Sequence, residues 1–208
     1  MTVEPHWLAD FADLPNRITR HDLAMLPHGG DEETRSSAVL ILLGDSPQGP
    51  ELLITERSSK LRSHPGQPAF PGGAVDLSDA NASAAAIREA VEETGVDAAG
   101  IVVLGELPTL WLPPSNFHVT PVLAWWAESS PVAPVNPNEV QRVERIALSA
   151  LADPENRYRI KLSSGFVTPA FIAADLTIWG FTAGIIDRLL YLTGREIPWD
   201  TERILARP

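Results

Sequence analysis

The chain has 208 residues, of which 44% are hydrophobic and 21% charged, with no cysteine and a formal net charge of −11. This length and composition suit one sizeable globular domain, and the missing thiols exclude disulfides and thiolate metal sites. The acidic balance argues against a nucleic-acid partner, which needs a basic face, and no apolar run approaches the ~20 residues of a membrane-spanning helix, so no membrane partner is expected.

Residues 1–35 mix proline, histidine and charge, with a weak helical stretch over 20–26, and read as an N-terminal extension lying on the domain. Their polar start, with Glu4 and Asp10, does not read as a secretory signal, and with the absent cysteines this fits a cytoplasmic protein. Residues 38–43 form a short apolar run closed by Gly44, a buried strand, and after a turn-rich stretch residues 51–55 supply its hairpin partner. Residues 57–73 form a polar loop punctuated by Pro65, Pro68 and Pro71, longer than a connector needs, and such loops tend to be functional. Asp79 or Asn81 can cap a helix that runs to Glu93 or Thr94 and stops at Gly95. Strands are expected at 101–112, 118–126, 140–147 and 171–178, an exposed loop at 131–137 and a last helix at 182–192. The alternation predicts α/β layers around a mixed sheet, with the domain over 36–195 and a tail over 196–208.

On the predicted helix, Ala84, Ile87 and Val91 fall in a narrow apolar stripe and are expected to face the core. Glu89, Glu92 and Glu93, at i, i+3 and i+4, cluster on the opposite side. Three such carboxylates repel one another unless a cation sits among them, and hard divalent ions take oxygen ligands. Charged helix faces are commonly just solvated, so the helix alone does not decide the matter. Arg57, Lys60, Arg62 and His64 form a dense basic cluster on an acidic background, and guanidinium groups suit bidentate phosphate contact, which singles out Arg57 and Arg62. Trp111, Trp125 and Trp126 read as core.

Context around the helix decides. Gly72-Gly73 stands upstream of Arg88-Glu89-Ala90-Val91-Glu92-Glu93-Thr94-Gly95-Val96, which resembles the Nudix box, Gly-x5-Glu-x7-Arg-Glu-U-x-Glu-Glu-x-Gly-U with U aliphatic. The second half matches. In the first half Asp79 stands where the pattern has Glu, and the spacing to Arg88 is one residue longer; a cap is the simpler role for Asp79. Residues 53–73, from Leu53-Ile54-Thr55-Glu56-Arg57-Ser58 through Arg62 and Gly66 to Phe70-Pro71-Gly72-Gly73, are similar to the loop signature of coenzyme A pyrophosphatases within the Nudix superfamily, with Ile54 for a Leu. Residues 178–186 also look like a stretch of these enzymes. The resemblance covers residues 37–192.

The resemblance implies a Nudix-type α/β/α sandwich around a mixed β-sheet. It also implies a hydrolase that uses Mg²⁺ or Mn²⁺ to split coenzyme A, or an acyl or oxidised form, into 3′,5′-ADP and 4′-phosphopantetheine. Metal ions would neutralise pyrophosphate charge and acidify the attacking water. Glu89, Glu92 and Glu93 are the expected ligands, together with a carbonyl at Gly73. Gly72 and Gly73 let the backbone approach metal and substrate. Arg88 is expected to hold a carboxylate in its ligating orientation, and Glu139 is a candidate general base. Two alternatives stay open, a Nudix hydrolase for another nucleoside diphosphate derivative such as ADP-ribose or NADH, and a non-catalytic Nudix-like binding or regulatory module. A homodimer is neither required nor excluded.

Overall fold

The computed structural model describes residues 3–23, 34–61, 63–112, 116–162 and 165–206. Strands β1 (Arg35–Ser46) and β2 (Gly49–Arg57) form the expected hairpin, but their pairing holds only from Leu43↔Leu52 to Ser46↔Gly49. Beyond that they diverge, and the end of the polar loop fills the fork. Strand β3 (Pro68–Ala69) pairs with β2 through Thr55↔Ala69 and Glu56↔Pro68. Strand β4 (Gly72–Ala74) pairs with β1 through Ser37↔Ala74, Ala38↔Gly73 and Val39↔Gly72.

The sheet is mixed. Strand β7 (Phe117–Trp126) runs parallel to β1, while β5 (Ile101–Glu106) and β6 (Leu110–Leu112) pair antiparallel with β7, and β8 (Val140–Ala147) pairs antiparallel with β2. A smaller sheet of β9 (Arg157–Lys161), β10 (Val167–Ala173), β11 (Leu176–Trp179) and β12 (Ile204–Leu205) has the order β11-β10-β9-β12. Alternation along the central strands serves two cores. Leu40, Leu42 and Leu53 face helix α4 (Ala82–Thr94; three short helices precede it), while Ile41, Leu43, Leu52 and Ile54 face the last helix, α6 (Gly180–Leu192; α5 is Leu148–Ala152). This is the expected layering of helix, mixed sheet and helix. No helix among the described residues is long and apolar enough to cross a membrane.

Several expectations need correcting. The strand expected at 101–112 is two, β5 and β6, separated by residues 107–109, and β5 itself carries a register shift between Val103 and Gly105. The strand expected at 171–178 is the β10–β11 hairpin, whose turn places Ala174 and Asp175 at φ 50° and 58°. Asp175 is a residue type that tolerates that conformation, whereas Ala174 gives no sign of it. Helix α4 begins after Asn81, whose side chain accepts from the Ala84 amide, and ends at Gly95 in the left-handed region, φ 69°. Its buried stripe is Ala85, Ala86, Ala90 and Thr94, and Ile87 and Val91 lie at the margin, half-buried. Alanines permit a closer helix–sheet approach than the larger side chains would, and the site depends on that approach.

Residues 6–23 are mostly short helical turns, α1 (Ala9–Ala12), α2 (Leu14–Arg17) and α3 (Arg20–Leu23) among them. Trp7, Phe11, Leu14 and Leu23 are buried in the same cluster as α6. Trp7 Nε1 donates to Asp45 Oδ1 at 2.8 Å and Arg188 Nε to the Asp22 carbonyl at 2.6 Å. At the other end Arg157, fully buried, lies against the rings of Phe171 and Trp199 and pairs with Asp187 and Glu196. Phe11 is fully buried, so Phe11→Ala should cost ~3–5 kcal/mol of stability, measured by urea unfolding. A cost within ~0.5 kcal/mol, as for surface positions, would mean that the N-terminal segment is not part of the core.

Candidate active site

Helix α4 brings the carboxylates to the fork, but not as a row on one solvent face. Glu93 is half-buried, and its Oε2 accepts from the Gly72 amide at 3.2 Å. Burial is the main cause that pushes its pKa up to about 7; the nearby charges of Glu89 and Glu139 add to this, and the Gly72 bond and Arg57 oppose it. Burial likewise raises the pKa of Glu89, against the pull of Arg88. Glu92 is exposed.

Arg88 organises this cluster. Its Nε and Nη2 bond the two oxygens of Asp79 at 3.1 and 3.0 Å, Nη2 also donates to the Ala74 carbonyl at 3.1 Å, and Nη1 reaches Glu89 at 3.0 Å and Glu92 at 3.2 Å. Asp79 is therefore the anchor of Arg88; the cap is Asn81. The Asp79 side chain is 5% exposed and its pKa is lowered, chiefly by the Arg88 bond. Sequence alone placed Asp79 on the wrong duty because a loop acid nine residues before an arginine has no fixed geometry until the loop is folded back.

The glycine pair acts by its lack of side chains. A Cβ on Gly72 would stand 2.3 Å from the Ala38 carbonyl oxygen, and one on Gly73 2.5 Å from Glu89 Oε1. The expected carbonyl ligand needs revision. Bonds from the Leu40 amide to the Pro71 carbonyl and from the Val75 amide to the Ser36 carbonyl make Ala38–Gly73 the hydrogen-bonded pair between them. The Gly73 carbonyl is thus turned into the ladder, and Gly72 is the residue whose backbone edge faces Glu93.

Glu139 comes to the same place from another element. The loop of residues 131–139 runs along the end of α4, with the Ala133 and Val135 amides bonded to the Thr94 and Glu93 carbonyls at 3.0 and 3.1 Å. The Ser58 amide bonds the Glu139 carbonyl at 2.8 Å, and Asn136 Nδ2 donates to Glu139 Oε1 at 2.9 Å. Asn136 was not singled out in the sequence; its signal is an asparagine three residues before a candidate base. Arg57, at the end of β2, bears electrostatically on Glu93, and its Nε is buried without a hydrogen-bond partner in the described structure. Arg62 lies outside the described residues. Lys60 Nζ turns to Asn138 at 3.4 Å, and His64 lies exposed on a different wall of the loop.

Among the described residues no three acidic or histidine side chains stand drawn together as a metal shell. Arg88 holds Glu89 and Glu92, and the Gly72 amide holds Glu93. The donor set is nonetheless all oxygen, and a carboxylate whose proton is retained chiefly by burial, with neighbouring like charges adding to it, is what a hard divalent cation would relieve. Glu89 and Glu93 could hold such an ion with the Gly72 carbonyl, and Glu92 could join from the exposed side.

A profile of the NUDIX domain matches residues 34–164. The chain is 38% identical over 172 residues to the uncharacterized Nudix hydrolase NudL of Enterobacter sp. (strain 638), covering 78% of this chain and 84% of that protein. It is 39% identical over 165 residues to NudL of Escherichia coli (strain K12), covering 77% and 83%. Among solved structures it is similar in fold to a Nudix hydrolase from M. smegmatis, RenU, with a TM-score of 0.52 and 22% identity over 80% of this chain and 90% of the other.

The Glu93 proton is held to about pH 7 in the folded chain and released near its ordinary 4.5 when unfolded. Its contribution to stability is complete below the lower value and lost as pH rises through the upper. Metal-free protein should therefore lose Tm from about pH 5 to about pH 8, and Glu93→Gln should flatten that fall; parallel profiles would contradict the burial of this group. Gly73→Ala should lower kcat ~10²-fold by displacing Glu89, with circular dichroism unchanged; full activity would contradict the close approach.

Proposed function

Since the chain belongs to the NUDIX family and is a hydrolase of pyrophosphate bonds, we propose that its substrate is coenzyme A or an acyl or oxidised derivative, cleaved to 3′,5′-ADP and 4′-phosphopantetheine or its acyl form. One observation carries the substrate: residues 68–73, the end of the loop whose sequence resembles the coenzyme A signature, fill the β1–β2 fork, and Arg57 at the loop's start, its buried Nε without a partner among the described residues, bears on Glu93. A phosphate oxygen there satisfies the orphaned Nε–H and the charge together.

Nudix hydrolases generally use divalent metal ions, and the oxygen donors around Glu89, Glu92 and Glu93 suit Mg²⁺ or Mn²⁺. Such an ion, when bound, neutralises pyrophosphate charge and makes water more acidic. Glu89 and Glu93 would hold it, Glu92 would assist, and the backbone of Gly72, not that of Gly73, would close the site. Arg88, anchored on Asp79, fixes the directions of Glu89 and Glu92 and does not touch substrate. Glu139, oriented by Asn136, accepts the proton of the attacking water. The water oxygen bonds to phosphorus as the bridging P–O bond breaks, and the electron pair leaves on the departing phosphate. Arg57 stabilises charge on the non-bridging oxygens.

Incubation with coenzyme A and Mg²⁺ or Mn²⁺ should yield 3′,5′-ADP by mass spectrometry, with turnover abolished by chelator and by Glu93→Gln. Faster cleavage of ADP-ribose or NADH under the same conditions would overturn the substrate. Undiminished activity of Glu93→Gln would overturn the metal site.

A further inference from the structure

On the other side of the sheet from α4, the loop that carries His64 to Pro68 and the β10–β11 hairpin enclose a cleft of about 510 Å³. Its walls include Glu56, Gln67, Pro68, Asp175, Thr177 and Trp179. It adjoins the candidate active site through the backbone. Glu56 and Arg57 are neighbours on β2 and so project to opposite faces, Glu56 into the cleft and Arg57 toward Glu93. The Arg57 amide bonds the Gln67 carbonyl at 3.1 Å and the Gly66 amide bonds the Arg57 carbonyl at 3.1 Å, so one hairpin width separates the two places.

Their chemistry differs. The cleft has two carboxylates, an amide, a hydroxyl and the single imidazole of His64 beside an indole, a leucine and two proline rings, so its acids outnumber the one group there that could carry positive charge. The neighbouring cation, Arg142, is committed to Glu144 at 2.7 Å, the Ala174 carbonyl at 3.0 Å and Glu56 at 3.8 Å. Phosphate is repelled by such a lining, whereas an uncharged chain with N–H and O–H donors and apolar carbons is accommodated by it. The volume lies in the usual range for a small-molecule site, roughly 300–1,000 Å³.

We infer that this cleft holds the pantetheine arm of the substrate while the phosphates stay on the Glu93 face. The inference rests on the coenzyme A proposal above, and electrostatics choose between the two ends of that molecule. The adenosine end carries the 3′-phosphate, which Glu56 and Asp175 oppose. The pantetheine end carries a hydroxyl, two amides and no charge. Its donors meet the carboxylates and the Gln67 side-chain amide oxygen, and its methylene and methyl groups meet Trp179 and Pro68. A modest acyl group on the sulfur adds no charge, so thioesters fit the same description.

The test uses the full chain, with free pantetheine and 3′,5′-ADP as separate probes in saturation-transfer NMR. Wild type should bind pantetheine; Trp179→Ala should abolish that binding and Gln67→Ala weaken it, with 3′,5′-ADP unaffected by either. With coenzyme A, both variants should raise KM, ~10-fold for Trp179→Ala, while kcat stays within about twofold. If Trp179→Ala does not fold by circular dichroism, Gln67→Ala decides. The inference is overturned if wild type does not bind pantetheine, if the variants leave its binding unchanged, or if they weaken 3′,5′-ADP instead. Pantetheine binding lost in the variants, in a protein that does not hydrolyse coenzyme A, would sink the substrate proposal and leave the cleft assignment standing. Hydrolysis without pantetheine binding would do the reverse.

Discussion

The approach of α4 to the backbone of Gly72 and Gly73 is the constraint from which the site follows. A Cβ at either glycine would fall 2.3–2.5 Å from the Ala38 carbonyl or the Glu89 carboxylate, so no other residue type leaves both the β1–β4 ladder and Glu89 where they are. The helix side answers with small residues, Ala85, Ala86 and Ala90, which let its axis lie close to the sheet. Because the distance is short, the Gly72 amide can bond Glu93 directly. Strand β4 and the last turn of α4, 21 residues apart at Gly72 and Glu93, are thereby fixed by one backbone-to-carboxylate contact.

That contact concentrates negative charge. Glu93 is half-buried, and burial chiefly raises its pKa, with the charges of Glu89 and Glu139 adding to it. The opposing force is spent on orientation: Arg88 takes its stance from the sheltered Asp79 and distributes its remaining donors to Glu89 and Glu92. Asp79, Glu89 and Glu92 each receive a hydrogen bond from Arg88, while Glu93, among the described residues, receives only that of the Gly72 amide. That difference makes Glu93 the place where a divalent ion gains most by displacing a proton.

The fork between β1 and β2 sets a second relationship. By filling it, residues 68–74 become a thin partition with the acidic helix on one side and the β10–β11 hairpin on the other. Strand alternation then assigns neighbouring residues to unlike surroundings, Arg57 to the carboxylates and Glu56 to the cleft. One short stretch of chain thus sorts charge between two faces, which a long flexible substrate with a charged and an uncharged end can use.

Much of this was legible in the sequence, because it depends on local rules. The Asn81 and Gly95 caps, the β1–β2 hairpin, the span of β8 and the loop over 131–137 follow from cap, turn and alternation chemistry within a few residues. The order Arg-Glu-x-x-Glu-Glu-x-Gly and the glycine pair marked the family, since motif residues keep their spacing whatever surrounds them. Tertiary structure alone decided the rest. The apolar stripe of α4 was misjudged by periodicity because Ile87 and Val91 outrank alanine in hydrophobicity, while close packing against β4 selects the smaller side chains. The αL turn at Ala174–Asp175 is signalled only by Asp175, since alanine rarely takes positive φ, and the duty of Asp79 exists only once its loop is folded back onto Arg88. Sequence by itself determined which groups are present and which elements carry them. Which carboxylate is buried, which carbonyl faces it and which side of β2 each charge takes depend on contacts between residues far apart in the chain, where no local rule reaches.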